Sequence, residues 1–207
     1  SRAKIISYMM LIFILPGFFL LRFSILAPLS WLNGSIRQFV WTRASSLTID
    51  LSYKRPLDNR RDDPTWKLQE LGSMLYVWVV SALVMMGVLS IKVFILWYII
   101  VIAIFLLNSL RTLAAHKYRN PGDQKMSVSE QFLDSVDISG NDFITPLWAP
   151  VGLRYHATHH LFPNMPYHAL GKAHRRLISE LSDNSLYLKA KRNSLWHALK
   201  SIWLEAK

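Results

Sequence analysis

Two long apolar runs without charge dominate the pattern of hydrophobic and polar positions. The first extends from Leu71 to Ile91, and the second, from Val93 to Ala115, has no charge before Arg111. Each run is about as long as a helix must be to cross the hydrocarbon core of a bilayer. Because only Lys92 separates them, the pattern predicts a transmembrane helical hairpin over residues 71–115, with its turn at Lys92.

The N-terminal 32 residues form a third apolar stretch, which is interrupted. Pro16 and Gly17 lie near its centre, and Arg22 follows shortly afterwards. Proline removes a helical hydrogen bond, and a charge is costly in hydrocarbon. Residues 1–32 are therefore predicted to be a broken apolar segment that is re-entrant, interfacial or membrane-crossing. A signal peptide is disfavoured because no small-x-small cleavage site follows the stretch.

Residues 33–70 are polar and are predicted to be a cytoplasmic connection. Basic residues concentrate where the chain enters and leaves the hairpin, whereas the far turn carries one Lys. By the positive-inside rule the basic side is cytoplasmic. The chain is thus expected to be a multi-pass membrane protein whose residues 116–185 lie on the cytoplasmic face. The basic residues concerned are Arg60, Arg61, Lys67, Arg111, Lys117 and Arg119.

Residues 186–207 form an amphipathic tail. From Ser194 onward, apolar residues recur at helical spacing while Lys200 and Lys207 lie off the stripe, which predicts an interfacial helix in the headgroup region. The stripe consists of Leu195, Trp196, Leu199, Ile202 and Trp203. The expected fold class is an all-α integral membrane protein, in which a transmembrane hairpin carries a cytoplasmic helical cap and interfacial helices.

Composition narrows the function classes. The chain is 52% hydrophobic and carries a net charge of +11. A nucleic-acid binder would share the charge, but its basic residues would not be separated by uncharged runs of membrane length. With no cysteine, the chain has neither a disulfide framework nor a thiolate metal site. Histidine and carboxylate remain as metal ligands, and no phosphate loop or other cofactor-binding motif is present.

Five of the seven histidines lie between Leu153 and Leu177, and three of these form one H-x-x-H-H box. On a helix, steps of about 100° place His156, His159 and His160 on one third of the circumference. Imidazole binds zinc, copper, iron and nickel, so the box predicts a transition metal without choosing among them. The alternative is a set of polar helix residues at a membrane surface.

The run RYHATHHLFPNMPYHALGKAHRRL resembles the third histidine box and the following segment of the membrane fatty acid desaturase and hydroxylase family. The likeness extends to TPLWAPVG (Thr145 to Gly152) and RTLAAHKYRN (Arg111 to Asn120). The resemblance implies two irons held by histidines only, and it adds the histidine at the end of the second span to the box. The metal and catalytic residues expected on this basis are His116, His156, His159 and His160.

Other side chains near this segment are expected to support the ligands. A ligating imidazole usually donates its second N–H to a carboxylate or carbonyl, which makes Asp134, Asp137 and Asp142 candidates for that contact. The alternative for each is a surface or capping role. His168 and His174 lie beyond the ligand pattern of the family, so they are interpreted as structural or supporting residues.

The resemblance implies oxygen-dependent desaturation of the acyl chain of a fatty acid or lipid. Side chains cannot oxidise an unactivated C–H bond, so a cofactor must do so, here iron with molecular oxygen as co-substrate. Each turnover consumes two electrons, which implies a redox partner such as a ferredoxin or a cytochrome b5-like protein. A basic cytoplasmic face would favour an acidic partner. Nucleic acid is not an expected partner.

One departure from the family pattern concerns the ligands. Family members carry two further histidine boxes upstream, and this chain has no histidine before His116. It is therefore expected to be the C-terminal part of a longer desaturase and to be inactive alone. Two alternatives stay open. A lipid or carotenoid hydroxylase could use the same box, because the two reactions can share their first oxidation step. A non-catalytic membrane subunit or remnant would bind little metal.

Overall fold

The computed structural model of the protein describes residues 1–45, 53–57, 63–120 and 124–206. Arg60, Arg61 and Lys207, which enter the predictions above, lie outside this range. The chain divides into two compact units. The N-terminal unit comprises Ala3–Leu106, and the C-terminal unit comprises Ser1–Arg2 with Leu107–Lys207.

The N-terminal unit is built of long helices joined by short turns. Its elements are α1 (Arg2–Leu21), a π-helical stretch (Arg22–Leu26), α2 (Ala27–Leu32), α3 (Gly34–Arg43), α4 (Pro64–Met85) and α5 (Ile91–Ala115), which continues into the C-terminal unit. Within the described ranges, three helical stretches are long and apolar enough to cross a membrane: Arg2–Leu32, Pro64–Met85 and Ile91–Ala115. The helical architecture confirms the prediction of an all-α integral membrane protein. Pro16 lies inside α1 and does not end it.

The turn of the hairpin differs from the prediction. Lys92 does not form the turn; it lies in the first turn of α5, and the connection consists of residues 86–90. Gly87 ends α4 because it adopts φ 75°, a left-handed conformation that favours glycine. The backbone N–H groups of Val88 and Leu89 then both donate to the carbonyl of Leu83, at 2.9 and 3.0 Å. An uncharged glycine turn therefore joins the two apolar runs.

The start of α4 also differs from the apolar boundary at Leu71. The helix begins seven residues earlier, at Pro64. The side chain of Asp63 caps it by accepting the N–H of Thr65 at 2.7 Å, and proline is favoured at the first helical position. Capping chemistry, rather than hydropathy, sets this end of the helix.

A buried ionic cluster joins α1–α3 to α4. Glu70 accepts hydrogen bonds from Arg22 at 2.7 Å, from the indole N–H of Trp31 at 2.7 Å and from Arg37. Arg22 also donates to the carbonyl of Ala44 at 3.0 Å. Charged side chains within apolar helices persist only where they are paired. The cluster therefore fixes the π-helical stretch against α4.

The C-terminal unit consists of short elements on the end of α5. They are α6 (Val128–Asp134), β1 (Asp137–Ile138), α7 (Thr145–Trp148), α8 (His156–Leu161), α9 (Tyr167–Glu180), α10 (Leu186–Ala190), β2 (Lys191–Arg192) and α11 (Leu195–Glu205). β1 and β2 pair in parallel, with Asp137 opposite Lys191 and Ile138 opposite Arg192. A cluster of buried apolar residues in the C-terminal unit comprises Ala114, Val136, Ile138 and Ala198.

The tail helix α11 packs differently from the prediction. Ser194 caps it by accepting the N–H of His197 at 3.1 Å. Two residues of the predicted membrane stripe, Leu195 and Leu199, pack against the protein core instead. The reason is that Ala198, which lies beside them on the helix surface, allows α11 to approach Ile138 closely. Trp196 and Trp203 of the same stripe remain exposed.

We predict that Glu70→Gln destabilises the protein strongly. The substitution leaves two buried guanidinium groups facing a neutral amide, and breaking a buried ion pair in this way costs about 3–5 kcal/mol. Detergent-solubilised protein should therefore unfold at a markedly lower temperature. Glu180→Gln is the matched control, because it breaks the exposed pair with Arg176 and should cost about 0–1 kcal/mol. Equal unfolding temperatures of the two variants would contradict a structural role for the cluster.

Candidate metal centre

His116 directly follows the last residue of α5, and backbone pairing fixes its position. It forms an antiparallel bridge with Ser135. On either side of the bridge, Val136 N–H donates to the Ala115 carbonyl at 2.8 Å, and Lys117 N–H donates to the Asp134 carbonyl at 2.7 Å. The imidazole therefore projects from an ordered backbone at the end of a long helix.

The helix that carries the histidine box, α8, is short and has no N-cap side chain of its own. A carboxylate from a distant segment replaces that cap: Asp137 accepts the backbone N–H of Thr158 at 3.0 Å and its hydroxyl at 2.5 Å. Six residues do not make a stable helix in isolation, so this contact matters for the orientation of α8.

The loop before α8 is held against α9 by a close backbone approach. Gly152 adopts φ 73°, and a Cβ atom at this position would lie 2.8 Å from the carbonyl oxygen of Tyr167. A larger residue would push the loop, and with it the start of α8, away from α9. The structure thus requires glycine at this point.

Three imidazole rings converge where α5 ends and α8 begins. The Nε2 atoms of His116 and His156 are 3.0 Å apart, and those of His156 and His160 are 3.2 Å apart. In both pairs the ring centroids are 4.6 Å apart and the rings are nearly perpendicular. His156 and His160 are one helical turn apart, as the box spacing predicts, and the fold brings His116 to them.

His159 lies at the edge of this cluster. Its ring centroid is 5.6 Å from that of His160 and 6.3 Å from that of His156, and the residue is exposed. The structure therefore brings together three of the four predicted ligands by direct nitrogen contacts and places the fourth beside them.

An acidic side chain fixes the tautomer of His116. Asp134 Oδ2 lies 3.2 Å from His116 Nδ1, and its Oδ1 accepts the N–H of Arg119 at 2.8 Å. Burial alone would raise the pKa of Asp134, but these hydrogen bonds hold it below its ordinary value. Because an ionised carboxylate only accepts, Nδ1 of His116 is the donor in this contact, and in the neutral ring the lone pair of Nε2 then faces the other histidines.

The surroundings of His156 and His160 oppose their protonation. Burial, reinforced by the neighbouring imidazoles of His116 and His160, lowers the pKa of His156 to about 3. Burial and the neighbouring histidines also lower the pKa of His160. A neutral imidazole is the form that binds a metal, so the electrostatics of the cluster favour ligand chemistry.

The donor set has the chemistry of a transition-metal site. With the proton of a neutral His116 on Nδ1, a hydrogen bond to its Nε2 requires the proton of His156. That single N–H group lies between two neighbouring nitrogens and cannot donate fully to both. Two nitrogens bound to one ion at about 2.1 Å lie about 3.0–3.4 Å apart, which matches the observed separations.

A complete ligand shell is not assembled, however. Among the described residues, no group of three or more His, Cys, Asp or Glu side chains is arranged so that it could hold a metal ion. The imidazoles approach one another edge to face at hydrogen-bond distance. Hydrogen bonds between neutral rings nevertheless leave one of the two nitrogen contacts poorly satisfied.

The remaining acidic candidates and histidines contact other groups. Asp137 and His174 lie under α8 and bond to each other at 2.8 Å. Burial alone would raise the pKa of Asp137, but its hydrogen bonds with His174 and Thr158 lower it. Asp142 pairs with Arg154 at 2.8 Å at the surface. His168 is exposed beside Tyr167. Of the five candidates, Asp134 is therefore the one that contacts a predicted ligand.

Sequence reasoning missed two residues of the support beneath the box. Thr158 is fully buried and links the box to Asp137, and the hydroxyl of Tyr187 bonds to Asp137 at 2.8 Å and to His174 at 2.7 Å. Burial and the adjacent carboxylate raise the pKa of Tyr187, so it remains a donor. A small polar residue between box histidines is a usable signal for Thr158, whereas nothing in the sequence around Tyr187 marks it.

Comparisons with known proteins agree with the resemblance. The model of the fatty acid desaturase family matches residues 6–191. A ceramide hydroxylase from Caulobacter vibrioides (strain NA1000 / CB15N) is 40% identical over 200 residues, which cover 97% of this chain and 56% of that protein. The chain thus spans little more than half the length of this relative. No solved structure matches it. The match over most of its length and the level of identity establish that the chain belongs to the fatty acid desaturase family.

Proposed function

We propose that the chain supplies His116, His156, His159 and His160 to a histidine-ligated di-iron centre that oxidises a C–H bond of a membrane lipid. The observation that carries the proposal is the convergence of three imidazoles, in which Nε2 of His156 lies 3.0 Å from that of His116 and 3.2 Å from that of His160. When bound, iron supplies the oxidising power that side chains lack, with molecular oxygen as co-substrate. Family members are oxidoreductases, which agrees with this chemistry.

Hydroxylation is the outcome we favour. The relative with 40% identity is a ceramide hydroxylase, and the aligned region includes nearly the whole of this chain. The substrate we propose is accordingly the acyl or sphingoid chain of a ceramide-like lipid. Desaturation of an acyl chain is the second candidate, since the family model that matches bears that name.

The chain's own residues contribute orientation and protonation control. Asp134 holds the proton of His116 on Nδ1 and so directs Nε2 towards the site. Burial keeps His156 neutral near physiological pH. Asp137 anchors α8 through Thr158, and a misoriented ligand helix would impair both metal retention and reaction geometry.

The proposed electron donor is a small acidic redox protein, such as a ferredoxin or a cytochrome b5-like protein, that approaches a cytoplasmic site. Arg111, Lys117 and Arg119 give the region next to His116 a basic character. Lys117 donates to the Leu133 carbonyl at 2.8 Å, and burial together with nearby Arg119 lowers its pKa. Complementary charge speeds encounter with an acidic partner.

We predict that expression of the complete reading frame in a host that makes ceramide yields a lipid with one additional oxygen atom. Mass spectrometry of extracted lipids distinguishes this product from a desaturated lipid, which lacks two hydrogen atoms. His156→Ala and His160→Ala should abolish the product, because each removes a converging nitrogen. His197→Ala is the control: His197 is exposed in α11 and should be dispensable.

Product formation by His156→Ala and His160→Ala at normal protein abundance would contradict the site. A desaturated lipid formed by the parent protein would retain the site and replace hydroxylation by the second candidate. Absence of either product and of bound iron, in a folded complete protein with a redox donor supplied, would favour a non-catalytic role.

A further prediction concerns Asp137→Asn. Buried Asp137 accepts from Thr158, His174 and Tyr187, and an amide cannot satisfy all these donors, so the variant should lose about 1–3 kcal/mol of unfolding free energy. Because the folded pKa of Asp137 is lowered, its contribution is present above about pH 4 and decreases as the pH falls through the folded value. Wild type and variant should therefore converge in stability in acid.

Thermal unfolding of the purified protein across pH measures this difference. Asp142→Asn is the matched control, since the Asp142 side chain is 78% exposed and should have a minor effect. A variant Asp137→Asn that is as stable as wild type at neutral pH would show that the carboxylate does not anchor α8.

A further inference from the structure

A charged groove in the N-terminal unit is unrelated to the histidine cluster. A cavity of about 290 Å³ is lined by Arg22, Arg37 and Glu70 and by aromatic residues of α1, α3 and α4. Arg22 and Glu70 both lie in stretches that are apolar and long enough to cross a membrane. Ionisable residues in such segments are rare and commonly mark a binding site.

Arginine outnumbers acid among the charged residues that line the cavity. Two guanidinium groups, those of Arg22 and Arg37, face the carboxylate of Glu70. A third guanidinium lies close by, since Arg55 stacks on the cavity residues Trp41 and Trp66 at 4.0 and 5.1 Å. Guanidinium groups are suitable donors for a phosphate or carboxylate.

One donor of the cluster has no partner among the described residues. The Arg22 side chain is 9% exposed, its Nε donates to the Ala44 carbonyl and its Nη2 donates to Glu70. Its Nη1 is buried and bonds to no atom of the part of the chain that the structure describes. A buried guanidinium nitrogen without an acceptor is costly, so an acceptor from a ligand would stabilise it.

The helix that carries Arg22 presents an amphiphilic stripe to the cavity. Leu15, Phe18, Phe19 and Arg22 all line it and follow the i, i+3, i+4, i+7 spacing of one helix face. At 1.5 Å per residue the stripe is about 10 Å long, with its cation at one end. The π-helical stretch begins at Arg22, and such distortions occur frequently at functional sites.

The cavity continues into apolar space. An adjoining groove of about 520 Å³ shares Phe19 and Ser73 with it, and a third cavity of about 370 Å³ shares Tyr76 and Trp97 with that groove. The third cavity is lined by apolar and aromatic side chains of α1, α4, α5 and the turn between α4 and α5, with one serine. The connected cavities thus run from a cationic end to an apolar end. A lipid with an anionic headgroup and an acyl chain would match this order.

We infer that this groove binds an acidic membrane lipid, with its phosphate or carboxylate on Arg22 and its acyl chain along α1 and α4. The headgroup is placed beside Trp41 and Trp66, which line the cavity, and tryptophan is enriched at the membrane interface. Free phosphate shares the head chemistry but leaves the apolar part of the groove unfilled. The site is distinct from the proposed metal centre, so its failure would leave the proposed function intact.

The test measures lipid retention by the complete protein, purified in a neutral detergent and examined by native mass spectrometry. Phosphatidylglycerol, phosphatidylcholine and inorganic phosphate are added separately. We expect the protein to retain phosphatidylglycerol in a one-to-one complex, with little phosphatidylcholine, and excess inorganic phosphate should not displace it.

Two variants probe the groove from different sides. Arg22→Lys keeps a cation beside Glu70 but removes the partnerless donor, and Ser73→Trp fills the groove without altering the ionic cluster. Each should reduce retention about tenfold or more. Arg176→Lys, in an exposed ion pair, and Val79→Trp, on an exposed part of α4, are the matched controls and should retain the lipid. Circular dichroism and unfolding temperature show whether each variant is folded.

Several results would overturn the inference. Equal retention of phosphatidylcholine, or retention unaffected by Ser73→Trp in a folded protein, would identify nonspecific lipid around the helices. Displacement by inorganic phosphate would identify an anion site without lipid specificity. A folded parent protein that retains no phosphatidylglycerol would show that the groove is closed by protein or water.

Discussion

The close approach of three imidazole nitrogens is the constraint around which the C-terminal unit is organised. Nε2 of His156 lies 3.0 Å from that of His116 and 3.2 Å from that of His160, and between neutral rings one of these contacts brings lone pair against lone pair. Such an arrangement is unfavourable unless a cation occupies the space between them or the surroundings hold the rings in place. Asp134 provides part of that support by fixing the tautomer of His116, and burial provides another part by keeping His156 neutral.

A second set of hydrogen bonds lies below α8 and positions this helix without contacting the imidazoles of the box. Asp137 replaces the missing cap of a six-residue helix and joins it to α9 and α10 through His174 and Tyr187. None of these bonds reaches a box imidazole. A carboxylate near a metal site can therefore act on the ligands in two ways, by direct contact as in Asp134 or by holding the ligand helix as in Asp137.

Features that depend on sequence periodicity were predictable, whereas tertiary contacts and the position of the turn were not. The helical nature of both uncharged runs and the shared face of His156 and His160 follow from spacing. The turn at residues 86–90 depends on Gly87, which adopts a left-handed conformation. The charge of Lys92, which separates the two apolar runs in the sequence, did not indicate the position of this turn. The apolar stripe of α11 was predictable from its spacing. Hydropathy does not show whether such a stripe faces lipid or packs on a protein core, and Leu199 packs on the core. The pairing of Arg22 with Glu70 was likewise invisible, because the two residues are far apart in the chain.

The iron content of the complete protein measures most directly whether these histidines hold iron. Protein purified after expression with iron should contain it, with a Mössbauer spectrum of nitrogen-ligated iron. His116→Ala, His156→Ala and His160→Ala should each lose most of it, and His197→Ala should match the parent. Full iron content in His156→Ala, which removes the imidazole at the centre of the cluster, would contradict the account.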